Sequence, residues 1–431
     1  MRSTAKFFAA LALSAVVFGS SGLSTVAFAA DKEQKQSVSK AVAKPLKAAQ
    51  DAMNAKDYQG ALAKLKEVEG VSGKTPYDEY LMNEMYGFTY VRLNDYPQAA
   101  KYLELGLSSG LLDPAEVPNR LKALAQVNYQ IKNYDKAIEF GTKSIKGGGG
   151  DDDMYTLVAQ AYYIKNDFKG TQKFVDEYVD DQVKAGKEPK EQTLQLLMSA
   201  CVKQNDEACT TEALEKLVAY YPKTEYWQNL LYSMFQQQGQ TEKSLLHVYR
   251  LASEVDVLKR PEDYTEYAQL AIEAGSPGEA VDILQKGLSK NVFSDARSLD
   301  KNKRLLDSAQ KQAASDKAGL DKIASDAAAA KTGDKDVSVG LAYLGYKDYN
   351  KAVTALERGL GKPGVQNEAE ARLLLGIAQL GAGKKDEAQK SFKAVKGDPK
   401  LEHLANLWSL HARQATPERQ ASAGAGDTAR Q

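Results

Sequence analysis

Histidine and cysteine are scarce in this 431-residue sequence, which has three and two of them, and its 57 basic side chains are balanced by 57 acidic ones. So few histidines and cysteines leave little material for a metal site or for covalent catalysis. The balanced charge argues against a nucleic-acid binder, because such proteins need a clustered basic surface. A mean hydropathy of −0.48 is typical of a foldable, water-soluble chain.

Reactive constellations are also missing from the sequence. It contains no Gly-x-Ser-x-Gly, no phosphate-binding loop and no dinucleotide fingerprint. His403 and His411 are eight residues apart, about 12 Å along a helix, which is too far to share a metal. We therefore predict that the protein is not an enzyme and that it uses no cofactor.

The first thirty residues have the layout of a secretory signal peptide. Arg2 and Lys6 form a positive start, an apolar run follows, and Ala27-Phe28-Ala29 is a small-x-small cleavage site. We predict a signal peptide over residues 1–29 and a periplasmic mature chain without a membrane span. An uncleaved anchor is the alternative, but the apolar run is shorter than the ~20 residues that a span needs.

Cys201 and Cys209 flank Asn205-Asp206, a sequence that predicts a tight turn between two helices. In an oxidising compartment the two cysteines can face each other across that helix pair, as a disulfide. The alternative is two unpaired buried thiols. A catalytic CxxC motif is excluded by the spacing.

A phrase of Asp or Asn, an aromatic residue, two variable residues and a small residue recurs along the chain. The phrase ends, in clear or weaker copies, at Ala61, Ala99, Ala137, Thr171, Ser244, Ala280, Ala352 and Ala388, with Thr210 in the gap. The Asp or Asn can cap a second helix, and the small residue allows two helices to approach closely. Successive small positions lie 34 to 39 residues apart, except for one interval that is twice as long. This is the length of two helices and two turns, and units of this kind bury their apolar faces only by stacking on one another.

Another small residue lies twelve positions earlier in several copies, for example Gly87, Ala125 and Gly376. This pattern resembles the tetratricopeptide repeat (TPR), over about residues 38–412. The resemblance implies an all-α, right-handed superhelical solenoid of about nine TPR-like helix pairs within residues 30–412. Residues 296–330 lack the aromatic turn, so we expect a degenerate repeat there, or else an inserted helix. Residues 413–431 are predicted to be a disordered tail.

TPR arrays bind protein partners along the concave wall formed by the first helix of each unit. Amides both donate and accept hydrogen bonds, so an amide-rich wall suits the backbone of an extended peptide. The alternative is that the wall is polar only because it is hydrated and that it binds no partner. Counting from the small positions places an amide- and tyrosine-rich set of residues on this wall: Asn119, Lys122, Gln126, Tyr129, Gln130, Asp153, Thr156, Gln160, Tyr163, Gln192, Gln195, Ser199, Lys203, Tyr226, Asn229, Ser233, Gln236 and Gln237.

Two segments carry a narrower resemblance. Residues 221–230 (YPKTEYWQNL) and 404–408 (LANLW) are similar to segments of periplasmic TPR proteins that are encoded with TonB–ExbB–ExbD systems of Gram-negative bacteria. This resemblance implies an accessory that engages TonB-complex subunits and supports uptake of iron chelates or other large nutrients. A scaffold for outer-membrane, pilus or polysaccharide-export assembly is an alternative, and a peptidoglycan-active enzyme or its regulator is another.

Overall fold

The computed structural model describes residues 37–236 and 239–414, and within these ranges it contains twenty α-helices and no β-strand. The predicted signal peptide lies outside the described residues, as does most of the predicted tail. Short helical turns at Pro114–Glu116 and Ile145–Gly149 supplement the α-helices. The helices are α1 (Lys40–Asn54), α2 (Tyr58–Glu69), α3 (Pro76–Arg92), α4 (Tyr96–Ser108), α5 (Val117–Gln130), α6 (Tyr134–Ser144), α7 (Asp152–Ile164), α8 (Phe168–Lys184), α9 (Glu191–Lys203), α10 (Glu207–Tyr220), α11 (Thr224–Phe235), α12 (Glu242–Glu254), α13 (Pro261–Glu273), α14 (Pro277–Ser289), α15 (Ala296–Ala329), α16 (Asp334–Gly345), α17 (Tyr349–Leu360), α18 (Glu368–Gly381), α19 (Lys385–Lys393) and α20 (Pro399–Gln414).

Nine consecutive helix pairs, α1/α2 to α13/α14 and then α16/α17 and α18/α19, account for all the described helices except α15 and α20. Each pair contains one small position of the repeat phrase, at the start of its second helix. The all-α solenoid and the number of about nine helix pairs are thus confirmed. The first and second helix of a pair are named by their order in the chain.

The turn inside every pair has the same backbone conformation. Five residues before each small position the chain adopts a left-handed conformation, with φ between 53° and 77°. Asn and Gly, which occupy six of these nine positions, tolerate it best. The following Asp or Asn caps the second helix through its side chain in five pairs, as predicted, whereas Asp348 makes no such bond. The nine left-handed residues are Lys56, Asn94, Lys132, Asn166, Asn205, Gly239, Gly275, Lys347 and Gly383.

The two helices of a pair approach so closely that a side chain of the second helix presses on the backbone of the first. A Cβ atom placed on Gly87 would lie 2.6 Å from Leu103 Cδ2, and one on Gly376 would lie 2.4 Å from Phe392. Gly340 meets Leu356 at the same positions of its own pair. Real Cβ atoms do not come so near, so these glycines are required by the packing.

The long helix α15 takes up the region where a degenerate repeat or an inserted helix was expected. It runs without a break for 34 residues. Its first half packs on the preceding pair, where Asn302 Oδ1 accepts a hydrogen bond from Thr265 of α13 at 2.8 Å. Its second half buries Leu320 and Ala327 in a core shared with the following pair, α16/α17. One continuous helix therefore connects two sets of helix pairs.

The chain divides into two compact units between Ala200 and Cys201, inside α9. In the first unit, pairs α1/α2 to α7/α8 stack in chain order. In the second unit, α10–α14 form an outgoing arm and α16–α20 form a returning arm, and the arms contact each other: α14 touches α16, and α20 touches both α10 and α12. The second unit is therefore folded back on itself.

Cys201 and Cys209 are joined by a disulfide across the α9–α10 turn, with their Cα atoms 5.4 Å apart and both side chains buried. Both cysteines of the sequence are thus paired with each other. The bond closes a loop whose ends are eight residues apart in sequence. It belongs to the second unit and is a covalent staple of one helix pair.

Replacement of Gly87 by alanine tests the close helix approach. Alanine raises helix propensity by about 1 kcal/mol, but the clash with Leu103 costs roughly 1–3 kcal/mol, so a net loss of stability is expected in urea unfolding. In a Leu103→Ala background only the contact with the backbone N of residue 103, at 3.3 Å, remains, and Gly87→Ala should then cost much less stability. Gly319→Ala is the matched control, because the nearest atom to its added Cβ is 3.7 Å away. It should stabilise in either background, and a loss at Gly319 would contradict the argument.

Removal of the disulfide by Cys201→Ala/Cys209→Ala should lower the free energy of unfolding by roughly 2–3 kcal/mol through the entropy of loop closure. Reductant should lower the melting temperature of the wild type and leave that of the double variant unchanged. An equal response of both proteins to reductant would show that the bond contributes nothing.

Candidate functional site

In the first unit, the outward sides of α5, α7 and α9, up to Ser199, form a surface that we call the first-helix face. This face holds most of the residues predicted to bind a partner. Asn119, Asp153 and Gln192 are exposed. The remaining members are half-buried, so each retains accessible surface. They are Lys122, Gln126, Tyr129, Gln130, Thr156, Gln160, Tyr163, Gln195 and Ser199.

Hydrogen bonds between side chains connect the first helices of successive pairs across this face. Tyr129 of α5 donates its hydroxyl to Gln160 Oε1 of α7 at 3.2 Å. The hydroxyls of Tyr163 and Ser199 lie 2.7 Å apart, between α7 and α9. Burial raises the pKa of Tyr129, so its hydroxyl keeps its proton at neutral pH and remains a donor. These bonds fix the spacing of the three helices.

Ion pairs reinforce the same connections. Lys122 of α5 pairs with Asp151, which caps α7, and Lys190 pairs with Asp153 at 2.7 Å. Burial raises the pKa of Asp151, but hydrogen bonds from Lys122 and from the backbone N–H of Met154 outweigh it, so the pKa is lowered. Lys122 is thus engaged with a carboxylate of the protein itself, which leaves it poorly suited to clamp a partner carboxylate.

The side-chain amides of three glutamines on this face make no hydrogen bond within the described part of the chain: Gln126, Gln130 and Gln192. Gln126 and Gln130 lie one turn apart on α5, and Gln192 lies at the start of α9. Each amide offers two donor hydrogens and one acceptor oxygen. The face therefore combines helices held at a fixed spacing with amides that are free to bind.

The predicted binding residues beyond Ser199 belong to the second unit and differ from this set. Tyr226 was expected on an open wall, but its side chain is only 3% exposed, so it packs in the interior and offers no partner surface. Ser233 donates its hydroxyl to Leu230 O at 2.7 Å. Lys203, Asn229 and Gln236 are exposed, and Gln237 lies outside the described residues.

Position counting on the sequence overlooked Phe88, whose side chain is 40% exposed on α3. It lies eleven residues before Ala99, as Gln126 lies eleven before Ala137, so the same count in the second repeat would have found it. Its ring lies 5.3 Å from the guanidinium of Arg120, which forms a buried ion pair with Glu84. Phe88 adds one apolar contact point to a polar surface.

Within residues 37–236 and 239–414, no helix has the length and apolar character needed to cross a bilayer. In the same ranges, no three side chains of the types His, Cys, Asp or Glu are grouped so that they could hold a metal ion.

Comparison with solved structures finds similarity to TPR proteins at low identity. A C-terminal part of a TPR protein from Cytophaga hutchinsonii is 14% identical, with 62% of this chain and 93% of that one covered and a TM-score of 0.32. A tetratricopeptide repeat protein from Parabacteroides merdae is 11% identical over 77% of this chain and 98% of its own, with a TM-score of 0.28. The TPR2AB domain of yeast Sti1, in complex with pHSP90, is 14% identical, with 70% and 100% covered and a TM-score of 0.24. No protein-family profile and no curated protein matches the sequence.

The hydrogen bond between Tyr163 and Ser199 can be weighed by a double-mutant cycle. Tyr163→Phe and Ser199→Ala should each lower the free energy of unfolding by about 0.5–1.5 kcal/mol, and the double variant should lose little more than one single variant. Tyr58→Phe is the control, because the Tyr58 hydroxyl has no hydrogen bond among the described residues. Fully additive losses would mean that the two hydroxyls do not interact.

Proposed function

We propose that the chain is a tetratricopeptide-repeat scaffold that binds an extended peptide segment of a partner protein on the first-helix face of its first unit. The observation that supports this most directly is the presence of the unpaired amides of Gln126, Gln130 and Gln192 on helices whose spacing is fixed by hydrogen bonds. Preorganised donors and acceptors lose little entropy when a ligand binds.

The chemistry of the face favours a peptide backbone over a charged ligand. An extended peptide presents alternating N–H and C=O groups, and a glutamine amide can pair with either. The lysines at this face, Lys122 and Lys190, are already paired with aspartates. Phe88 can contact an apolar side chain of the peptide. Recognition is then carried by main-chain hydrogen bonds and one apolar contact.

The cellular role that we propose is that of a periplasmic accessory of TonB-dependent energy transduction, exported by the signal peptide at residues 1–29. The narrower resemblance of residues 221–230 and 404–408 supports it. In this proposal the bound segment belongs to a subunit of the TonB complex, and the scaffold aids uptake of large nutrients.

Photocrosslinking in intact cells tests both the face and the partner. A photoreactive amino acid at Gln126 or Gln192 should capture TonB-complex subunits, identified by mass spectrometry. The matched controls are Lys143 and Lys169, exposed residues of the second helices α6 and α8, which should not capture them. Capture of outer-membrane, pilus or polysaccharide-export components instead would replace the TonB assignment, and equal capture from both faces would refute the site.

A triple variant tests the mechanism. Gln126→Ala, Gln130→Ala and Gln192→Ala together should weaken partner affinity at least tenfold, since each lost hydrogen bond costs about 0.5–1.5 kcal/mol. The melting temperature should not change, because these amides support no other residue. Unchanged affinity of a folded triple variant would contradict backbone recognition by the amides.

A further inference from the structure

In the second unit, the first helices of the returning arm are covered by the chain itself. The second helices of the outgoing arm, α14, α12 and α10, lie against α16, α18 and α20. The surface that corresponds to the open face of the first unit is therefore occupied here. Its occupant shows what kind of ligand the surface accepts.

The three histidines of the chain all lie on this contact between the arms, and each meets a glutamate of the opposite arm. His247 of α12 lies 3.2 Å from Glu370 of α18, and His403 and His411 of α20 lie 2.5 Å and 3.3 Å from Glu215 and Glu254. These partners are 123 to 188 residues apart in sequence. Three polar pairs thus join the two arms.

Around Glu370 the charges of the two arms are complementary. Lys243 and His247, one turn apart on α12, both face this carboxylate, with Lys243 Nζ at 4.0 Å. On the next turn Arg250 donates to His247 Nδ1 at 3.0 Å and forms a bidentate pair with Glu279 of α14, within its own arm. Because arginine only donates, His247 accepts at Nδ1 and donates from Nε2 to Glu370. Burial also lowers the pKa of His247, consistent with a neutral ring.

Apolar side chains complete the contact beside these charges. Met234 and Val248 of the outgoing arm and Leu401 and Leu404 of the returning arm border a void of only about 10 Å³. Trp408 and Trp227 both lie edge-on to the ring of His411. The tryptophans of the two segments with the narrower resemblance thus pack here. α12 thus presents Val248 to the returning arm beside Lys243 and His247, whereas Arg250 pairs with Glu279 of its own arm.

We propose that the first-helix face of the returning arm is a second protein-binding surface, specific for an amphipathic helix with a lysine and a histidine at positions i and i+4, and that α12 occupies it in this structure. A partner helix of the same chemistry binds by displacing α12. Contacts rich in polar groups resemble those of transient interfaces, which can open. The proposal concerns only the second unit and stands independently of peptide binding by the first.

Tethering makes α12 a strong competitor for its own surface. An attached segment acts at an effective concentration in the millimolar range, so a free helix of equal intrinsic affinity binds weakly to the wild type. Substitutions that weaken the hold of α12 and leave Glu370 unchanged should therefore increase the binding of an added helix. A merely structural contact would not respond in this way.

The experiment uses the intact protein and a fluorescent peptide of residues 240–256, with binding followed by anisotropy. The variant Lys243→Glu/His247→Gln should bind this peptide at least tenfold more tightly than the wild type. Lys400→Ala, which removes only the bond from α20 to Gly239 O, should increase binding severalfold with little risk to folding. Adding Glu370→Lys to either variant should abolish the gain.

A matched charge change in the first unit, Lys64→Glu, should leave peptide binding at the wild-type level. Charge exchange adds a positive test: the Glu370→Lys variant should prefer a peptide that carries Lys243→Glu over the natural peptide. If the variants with weakened α12 contacts are folded by circular dichroism and still bind no more peptide than the wild type, the proposal is wrong. It is equally overturned if Glu370→Lys does not affect binding.

Discussion

The close contact between the two helices of a pair is the constraint on which the rest of the structure depends. A left-handed residue reverses the chain, the next residue caps the second helix, and the second helix then lies against a position where only a small residue fits. Leu103 against Gly87 and Phe392 against Gly376 show how little room remains. In the α5/α6 pair the glycine lies on the second helix, as Gly141, and the first helix carries Ala125 instead. Val158 of the next pair fills the space beside Gly141. The requirement is therefore a fixed total volume at the contact rather than a particular residue.

Such pairs are thin, so each must bury its remaining apolar surface against a neighbour. In the first unit the neighbours are the adjacent pairs, and one side of the first helices stays open to solvent. In the second unit α15 changes this outcome, because it connects two stacks that lie against each other. The same repeat chemistry thus gives one face that is free to bind and one that is filled by its own chain. The difference comes from one helix that departs from the repeat.

The local parts of this architecture could be predicted from the sequence, because they depend on residues within one repeat. Small positions and Asp or Asn caps located the helix pairs, including the weak copies at Thr210 and Ser244, where the turns contain the left-handed residues Asn205 and Gly239. The left-handed positions themselves went unnoticed, although Asn or Gly at six of nine of them is a recognisable signal. The candidate binding residues of the first unit are accessible for the same reason, since one helical period determines which side chains point outward.

The long-range parts could not be predicted in this way. Nothing in residues 296–330 shows that they form one unbroken helix, because an alanine-rich segment fits a single helix and a worn pair equally well. Tyr226 is buried although its position within the repeat predicted an open wall, so the repeat position alone did not determine its exposure. The contacts of His247, His403 and His411 join residues more than a hundred positions apart. A pattern with a period of about 36 residues carries no information about such pairs.

The two faces of the chain also differ in how they can achieve specificity. The amides of the first unit recognise groups that every peptide backbone has, so their discrimination among partners must come from side-chain contacts such as that with Phe88. The contact in the second unit uses a carboxylate, Glu370, that faces His247 and Lys243, and a helix with an acid opposite Glu370 would be rejected by repulsion as well as by loss of the hydrogen bond. Losing a hydrogen bond to a mostly buried carboxylate such as Glu370 costs about 1.5–3 kcal/mol, whereas losing one amide contact costs about 1 kcal/mol. Selectivity for a particular partner is therefore easier to build at the face that the protein keeps covered.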